Sequence, residues 1–274
     1  MHTLFQFTGT LIDTIKINRI AREEHNGSLF WVKRRRGFSR IVVRCANRFF
    51  RAVQNPVIVC SSPGEWQQWE VSCFNLLHGP EGYRAEAWGD SGVCADLLPG
   101  EALHDHAFAG TLTEAMLRAA GRELRRAHTL KSALIGGRWS HGDPHLGNFI
   151  YDAAGDRARL IDFEVYHRPG MSESDRHTDD LLVTIQDLMG RADFGLWRER
   201  VEWFLEGYRI SEPLLERLAT RLNQPVGLKR LWWAIRTGYL GAAERRRRIT
   251  ALREWCRAGI VPLPDAVERE AIGS

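Results

Sequence analysis

The chain has 274 residues, 44% of them hydrophobic and 26% charged, with a net charge of +4. This composition excludes a disordered or fibrous protein and supplies ample material for a core, while the mild positive charge suits an anionic partner but calls for no nucleic acid. No apolar run reaches the roughly 18 residues needed to span a bilayer, so a membrane would be met only from its surface.

Residues 9–35 read as β-rich. Leu11–Ile17 alternates, and Asn26-Gly27 is a hairpin signal, since both central residues of a tight type I′ turn need positive φ. Ser28–Arg34 then reads as a strand with Lys33 near its end. Between 39 and 53, Ile41, Val42, Cys45, Phe49 and Phe50 recur at helical spacing with Arg40, Arg44, Arg48 and Arg51 between them, which predicts a basic amphipathic helix. A second helix is predicted from Glu65 to about Leu77, after Pro63-Gly64 and before His78-Gly-Pro80.

Residues 83–98 read as two strands joined by Gly89-Asp-Ser-Gly92, and Leu97-Leu-Pro-Gly100 as a linker. A long helix is predicted from Thr111 to Leu130, with Thr111 and Glu114 as its capping box. Helices dominate from about Asp179 to Cys256. Strands first and helices later predict an α+β protein of two lobes, a small β-rich one over 1–98 and a larger α-helical one over 99–274.

One stretch carries chemistry. His141-Gly-Asp-Pro-His-Leu-Gly-Asn148 is followed by Leu160-Ile-Asp-Phe-Glu164, which places Asp143, then Asn148 five residues on, then Asp162 inside an apolar run. Phosphoryl transfer from ATP asks for this set: a carboxylate to receive the proton of an attacking hydroxyl, and an amide oxygen with a second carboxylate to hold Mg2+ on the phosphates. Pro144 and Gly147 keep the segment out of a helix. Asp162, among Leu160, Ile161 and Phe163, needs a cation to be buried at tolerable cost. Taken singly, each piece is an ordinary turn or strand; order and spacing together point to phosphotransfer.

Lys33 is the candidate for the α- and β-phosphates, with Glu70 as its helix-borne partner and Glu65 as the alternative; otherwise it only opens the solvated run Lys33–Arg36. No G-x-G-x-x-G precedes it, and the turn expected near Asn18 holds no glycine, so phosphate cover falls to other amides or to side chains such as Lys16. Asp180, in Asp179-Asp180 at the expected helix start, either braces the 141–148 loop or serves as an N-terminal cap. His141-x-Asp-x-His145, with His104-Asp-His106 as the other dense cluster, contains metal-ligand residues, but too few for a coherent metallohydrolase set; His145 reads as a loop residue near the phosphates. The cysteines, Cys45, Cys60, Cys73, Cys94 and Cys256, form no C-x-x-C pair, and Met1–Phe5 lacks a signal-peptide pattern; a reducing, cytoplasmic setting is expected. The Arg34–Arg51 group can lie on an anionic membrane surface or pack on its own lobe, and Arg245–Arg248 reads as a solvated helix face.

These residues resemble the protein-kinase-like superfamily over most of 11–210. H-G-D-x-H-x-G-N followed by I-D-F is similar to its small-molecule and lipopolysaccharide branch, aminoglycoside and choline kinases included. Eukaryotic-type protein kinases usually carry HRD and DFG where this chain has His141-Gly-Asp143 and Asp162-Phe-Glu164; there is no A-P-E, and the span to Asp180 leaves little room for an activation loop. Phe30–Phe38, the basic helix, Asn55-Pro-Val57 and Glu65-Trp66 are similar to bacterial lipopolysaccharide core kinases, which act on heptose or 3-deoxy-manno-octulosonic acid; the heptose kinases usually differ at the Asn148 position.

The resemblance implies a bilobal kinase-like fold using ATP and Mg2+. The nucleotide would sit between the lobes near Ala95 and Leu97, Lys33 and Glu70 would hold its phosphates, Asn148 and Asp162 the metal, and Asp143 the acceptor hydroxyl, with His141 and Asp180 in support. The C-terminal helices, with Trp232, Trp233, Tyr239 and the arginine run, would shape the acceptor side. A glycolipid sugar is the favoured acceptor; a soluble small molecule or protein, or a non-catalytic nucleotide-binding scaffold, are the alternatives.

Overall fold

The computed structural model describes residues 18–258 apart from 26, 38, 192–195 and 239, so the strand expected at Leu11–Ile17, Lys16 and Tyr239 lie outside the described residues. The hairpin forms as expected. β1 (Asn18–His25) and β2 (Ser28–Arg35) are antiparallel in a register that pairs His25 with Ser28 and leaves two residues for the turn, where Gly27 takes φ +76°. Asn18 pairs with Arg35 and so begins the strand; it is not in a turn. β4 (Ala85–Trp88) and β5 (Gly92–Asp96) complete a sheet of order β1-β2-β5-β4, antiparallel throughout.

The basic helix is α1 (Ser39–Ala52), but its inward face is rotated from the expected one. Val43 is buried, whereas Ile41 is 70% exposed and Cys45 is exposed. The cause is Asn47, whose side-chain amide accepts from Val59 N at 2.9 Å and donates to Val59 O at 3.0 Å on β3 (Val57–Val59). That pair of bonds draws the row of Val43, Asn47 and Phe50 onto the protein and turns Ile41 and Cys45 outward.

α2 (Pro63–His78) starts two residues before Glu65, because the Ser62 hydroxyl caps it by accepting from Glu65 N at 3.0 Å and Pro63 suits the first turn. It buries Trp66, Glu70, Cys73, Phe74 and Leu77. Asn75 pairs with both backbone groups of Ala85 on β4, at 2.8 and 2.9 Å, which fixes the helix against the sheet.

Residues 97–100 hold no helix or strand, as expected of a connector. Beyond them come β6 (Glu101–Ala102) and α3 (Leu103–Ala109), a helix the sequence pattern does not indicate. α4 (Glu114–Thr129) is capped by Thr113, whose hydroxyl accepts from Met116 N at 3.4 Å. Thr111 is not the cap: its N–H donates to His106 O at 2.9 Å, closing the preceding helix. A short pair, β7 (Lys131–Ser132) and β8 (Gly137–Arg138), leads into the motif segment, which is flanked by β9 (Phe149–Asp152) and β10 (Arg157–Leu160). β10, β9 and β6 form a second small sheet against α4.

β11 (Val165–His167) pairs with β3, Val165 opposite Val59, and so ties the N-terminal part to the segment that follows Asp162. The remainder is helical: α5 (Glu173–Arg191), α6 (Trp197–Tyr208), α7 (Glu212–Arg221), α8 (Lys229–Arg236) and α9 (Ala242–Ala258). α5 opens at Glu173, so Asp179 and Asp180 lie inside it, and the capping role is excluded for Asp180. In the arginine run, Arg245 and Arg248 are buried, and Arg248 Nε donates to Glu244 at 2.7 Å, so half of that run is structural. The class is α+β, with a small antiparallel sheet first and helices later. Among the described residues no helix is long and apolar enough to cross a membrane.

Candidate active site

Three separate elements meet at Lys33. β2 delivers the lysine from the sheet, α2 brings Glu70, and the turn after β10 brings Asp162 and Glu164. The Lys33 Nζ lies 3.2 Å from Glu70 Oε1 and 2.9 Å from Glu164 Oε1, and it also donates to Asp162 Oδ1. Asp162 takes φ +67°, a left-handed conformation that Asp tolerates better than most residues but still at a cost of about 1 kcal/mol. Phe163 behind it is buried against Trp139 and His141, with ring centroids 5.8 and 5.4 Å away, which anchors the turn that aims the carboxylate. Glu164 also accepts from the Asn18 amide.

Three carboxylates therefore surround one ammonium group. Burial works against the Lys33 charge, but Asp162, Glu164 and Glu70 outweigh it and hold its pKa well above the usual value. Burial raises Glu70 despite the attraction of Lys33, and burial together with the neighbouring Asp162 charge raises Glu164. Glu70 Oε2 is buried with no hydrogen-bond partner among the described residues. Glu65, the alternative partner, lies away from Lys33 and accepts from the Tyr166 hydroxyl at 3.4 Å.

The 141–148 loop is held from α5 by three side chains at successive turns. Asp180 accepts from His141 N at 2.8 Å and Gly142 N at 2.7 Å, the Thr184 hydroxyl donates to Pro144 O at 2.6 Å, and Asp187 accepts from Leu146 N at 2.9 Å. Asp180 is fully buried, yet its pKa is driven well down: burial opposes this, and His167 and His128 overcome it. His128 Nε2 donates to Asp180 Oδ2 at 2.9 Å. The sequence motif points to Asp180 alone; the spacing of Asp180, Thr184 and Asp187 on one helical face is the signal that could have found the other two.

His141 links the two halves of the motif. Its Nδ1 accepts from Asp143 N at 3.2 Å and its Nε2 donates to Ile161 O at 3.0 Å, beside Asp162, while burial lowers its pKa and keeps the ring neutral. Asn148 Nδ2 donates to Asp143 O at 2.8 Å, which leaves Oδ1 as its acceptor. His145 Nδ1 accepts from Gly147 N at 3.0 Å and caps the short turn before β9.

The side chain of Asp143 has a partner the sequence does not announce. Arg236, at the end of α8, donates through Nη1 to Asp143 Oδ1. Burial would raise the Asp143 pKa, but Arg236 and then His145 bring it below the ordinary value. The Arg236 guanidinium lies 4.6 Å over the Trp232 ring, and Trp232 meets Phe49 and Phe50 of α1 edge-on at 6.1 and 5.2 Å. Trp232 thus joins the site's surroundings, whereas Trp233 is buried in the core.

Ala95 is opposite Trp31 in the β2–β5 ladder and Val93 is opposite Lys33, so Ala95 lies on the Val93 face about 7 Å along the strand. Leu97 begins the connector. Neither joins the charged cluster. Among the described residues no group of three or more His, Cys, Asp or Glu is placed to hold a metal ion, so the His141–His145 and His104–His106 clusters do not assemble into one.

No protein-family profile matches the sequence, and no curated protein matches it. Among solved structures the chain is similar to an ethanolamine kinase of Plasmodium vivax, with 11% identity and a TM-score of 0.49 over 86% of this chain and 79% of that one. It is also similar to a Mycobacterium tuberculosis protein solved in complex with erythromycin, with 14% identity and a TM-score of 0.38 over 88% and 70% of the two chains. At these scores the likeness assigns neither substrate nor site residues.

Proposed function

We propose that the protein is a kinase-like phosphotransferase that moves the γ-phosphoryl group of ATP to a hydroxyl, with a sugar of a lipopolysaccharide-type glycolipid as the favoured acceptor and a soluble small molecule as the alternative. The observation that carries this is the convergence of Lys33 on Glu70 and Asp162 while the Asn148 amide is bonded to the backbone of Asp143. Lys33 and Asp162, 129 positions apart along the chain, thereby belong to one site.

The residues fit a magnesium ion. Three carboxylates face one lysine, a buried Glu70 oxygen lacks a partner, and the Asn148 oxygen remains available. Mg2+ is commonly held by one or two protein oxygens plus substrate phosphates, and Asn148 and Asp162 would hold it here, where it would neutralise phosphate charge. Lys33, kept straight by Glu70, binds the α- and β-phosphates. His141 and the α5 side chains fix the loop, so that Asp143 aligns the acceptor hydroxyl and takes its proton as the acceptor O–P bond forms and the bond from the γ-phosphorus to the bridging oxygen breaks, releasing ADP. The work of the protein is positioning and charge, with little covalent chemistry of its own. In this reading residues 1–98 serve the nucleotide and 99–274 the acceptor, with Ala95 and Leu97 beside the base. The outer face of α1, where Arg40, Arg44, Arg48 and Arg51 are exposed together with Ile41, supports peripheral contact with an anionic membrane surface.

The test is transfer of label from ATP onto a fractionated extract, separating lipid, sugar and protein products, by wild type and Asp143→Ala. A labelled product that disappears with the variant is the expected result. Binding of ATP without transfer to any fraction would favour a nucleotide-binding scaffold instead.

A further inference from the structure

Resting on the phosphotransferase reading, we infer that the acceptor carries an anionic group, a carboxylate or a phosphate, close to the hydroxyl it presents, and that the Arg236 guanidinium receives it. Arg236 reaches the candidate base Asp143 itself, so whatever Arg236 binds is held beside the reacting hydroxyl. Arg236 has five N–H donors and no capacity to move a proton near neutral pH, so its contribution is anchoring. Nη1 is committed to Asp143; Nε is buried without a partner, and Nη2 makes no hydrogen bond among the described residues. An arginine with uncommitted donors matches a planar carboxylate or a phosphate two-pronged, which a neutral sugar does not reproduce.

The placement is built into the fold. Arg236 precedes Thr237, which is fully buried and whose hydroxyl donates to Trp233 O at 2.7 Å. The backbone of Thr237 approaches α5 so closely that a Cβ on Gly190 would lie 2.4 Å from the Thr237 carbonyl carbon. Only glycine admits that contact. On its other side the guanidinium is stacked on Trp232.

The surrounding sequence has the matching charge. From Glu216 to Glu244 there is no acidic residue between the two, and from Glu24 to Glu65 there is none either. These two stretches meet at Trp232, Phe49 and Phe50. An acceptor with a cationic group, such as an amino alcohol or amino sugar, would therefore meet Arg236 with no carboxylate from either stretch to offset the repulsion, and the one carboxylate beside it, Asp143, is already engaged by Arg236 itself.

The same chemistry could come from the γ-phosphate of the nucleotide, and the experiment separates the two sources. Extract is divided by ion exchange into anionic, neutral and cationic pools, and each is offered to the full chain with labelled ATP and Mg2+. The label should enter the anionic pool. With the acceptor from that pool, Arg236→Gln should raise its KM at least about tenfold while the KM for ATP moves less than about twofold, and Arg236→Lys should recover part of the loss. Label in the neutral or cationic pool overturns the inference and leaves the phosphotransferase reading intact, as does an Arg236→Gln effect on the KM for ATP in place of the acceptor. No label in any pool, with no ATP–Mg2+ binding by calorimetry, removes the phosphotransferase reading and this inference with it. Circular dichroism of each variant separates a lost contact from a lost fold.

Discussion

The two ends of the site are charged in opposite ways. Around Lys33, Glu70, Asp162 and Glu164 bring three carboxylates to one cation. Around Asp143, one carboxylate is met by Arg236, and the chain on either side of that arginine is free of acid from Glu216 to Glu244. In the proposed reading the first arrangement, three carboxylates against one lysine, would be completed by a cation. In the same reading the second, with guanidinium donors left over from the bond to Asp143, would be completed by an anion. The proposed phosphoryl transfer would use both, a metal-bearing nucleotide on one side and an oriented hydroxyl on the other.

Separating the two sides is the sharpest way to break this contrast. Asp143→Asn should lower phosphotransfer by roughly 10²–10⁴ with ATP–Mg2+ binding preserved, and Asp162→Asn should lose both together. Calorimetry beside a turnover assay reads the two quantities; equal loss of nucleotide binding in both variants would erase the division.

The loop that carries Asp143 depends on Asp180. Removing its charge leaves His141 N, Gly142 N and the buried His128 poorly matched, and Asp180→Asn should cost about 3 kcal/mol of unfolding free energy at neutral pH. The sign with pH follows from a depressed carboxyl pKa. The stabilisation is fully present above the ordinary aspartate value of 3.8 and is lost as pH falls through the lower folded value, so wild type and variant should converge only in acid. Denaturant midpoints at pH 7 and in strong acid test this, and a difference that stayed constant would mean that the Asp180 charge does not brace the loop.

Glu70 has the opposite sign. Its carboxyl pKa is raised by burial, so the folded state binds more protons than the unfolded one above the ordinary glutamate value of 4.5, and stability falls as pH rises from there. Glu70→Gln should therefore gain in stability relative to wild type as pH is raised across that window. A stability difference independent of pH would mean that Lys33 fully compensates the burial. The smallest effect is expected at α1: Arg44→Gln should weaken association with anionic vesicles about fivefold, near 1 kcal/mol for one cation at a lipid surface. Unchanged association would leave α1 as a helix that only packs on its own lobe.

Much of this arrangement is legible in the sequence because it is local. The turn at Gly27, the strand bearing Lys33, the α2 face bearing Glu70 and the loop kept from helix by Pro144 and Gly147 all follow from backbone preferences and short-range periodicity. The face of α1 is not, because a hydrophobicity pattern ranks Ile41 above Asn47, while the Asn47 bonds to Val59 decide which row turns inward. The start of α5 is hidden for a different reason: Asp179-Asp180 has the composition of a helix cap, and only the bonds from Asp180 to His141 and Gly142 reveal a buried brace.

The sequence by itself determined the proposed reaction set, Asp143, Asn148 and Asp162 with Lys33 and Glu70, because that proposal rests on residue type, order and spacing. Only the tertiary structure decided which cation meets Asp143. Arg236 and Asp143 are 93 positions apart, and their contact exists because Gly190 lets Thr237 close on α5 and Trp232 seats α8 against Phe49 and Phe50. A contact made by packing leaves no periodic trace along the chain, and so the charge that meets Asp143 became visible only once the helices were in place.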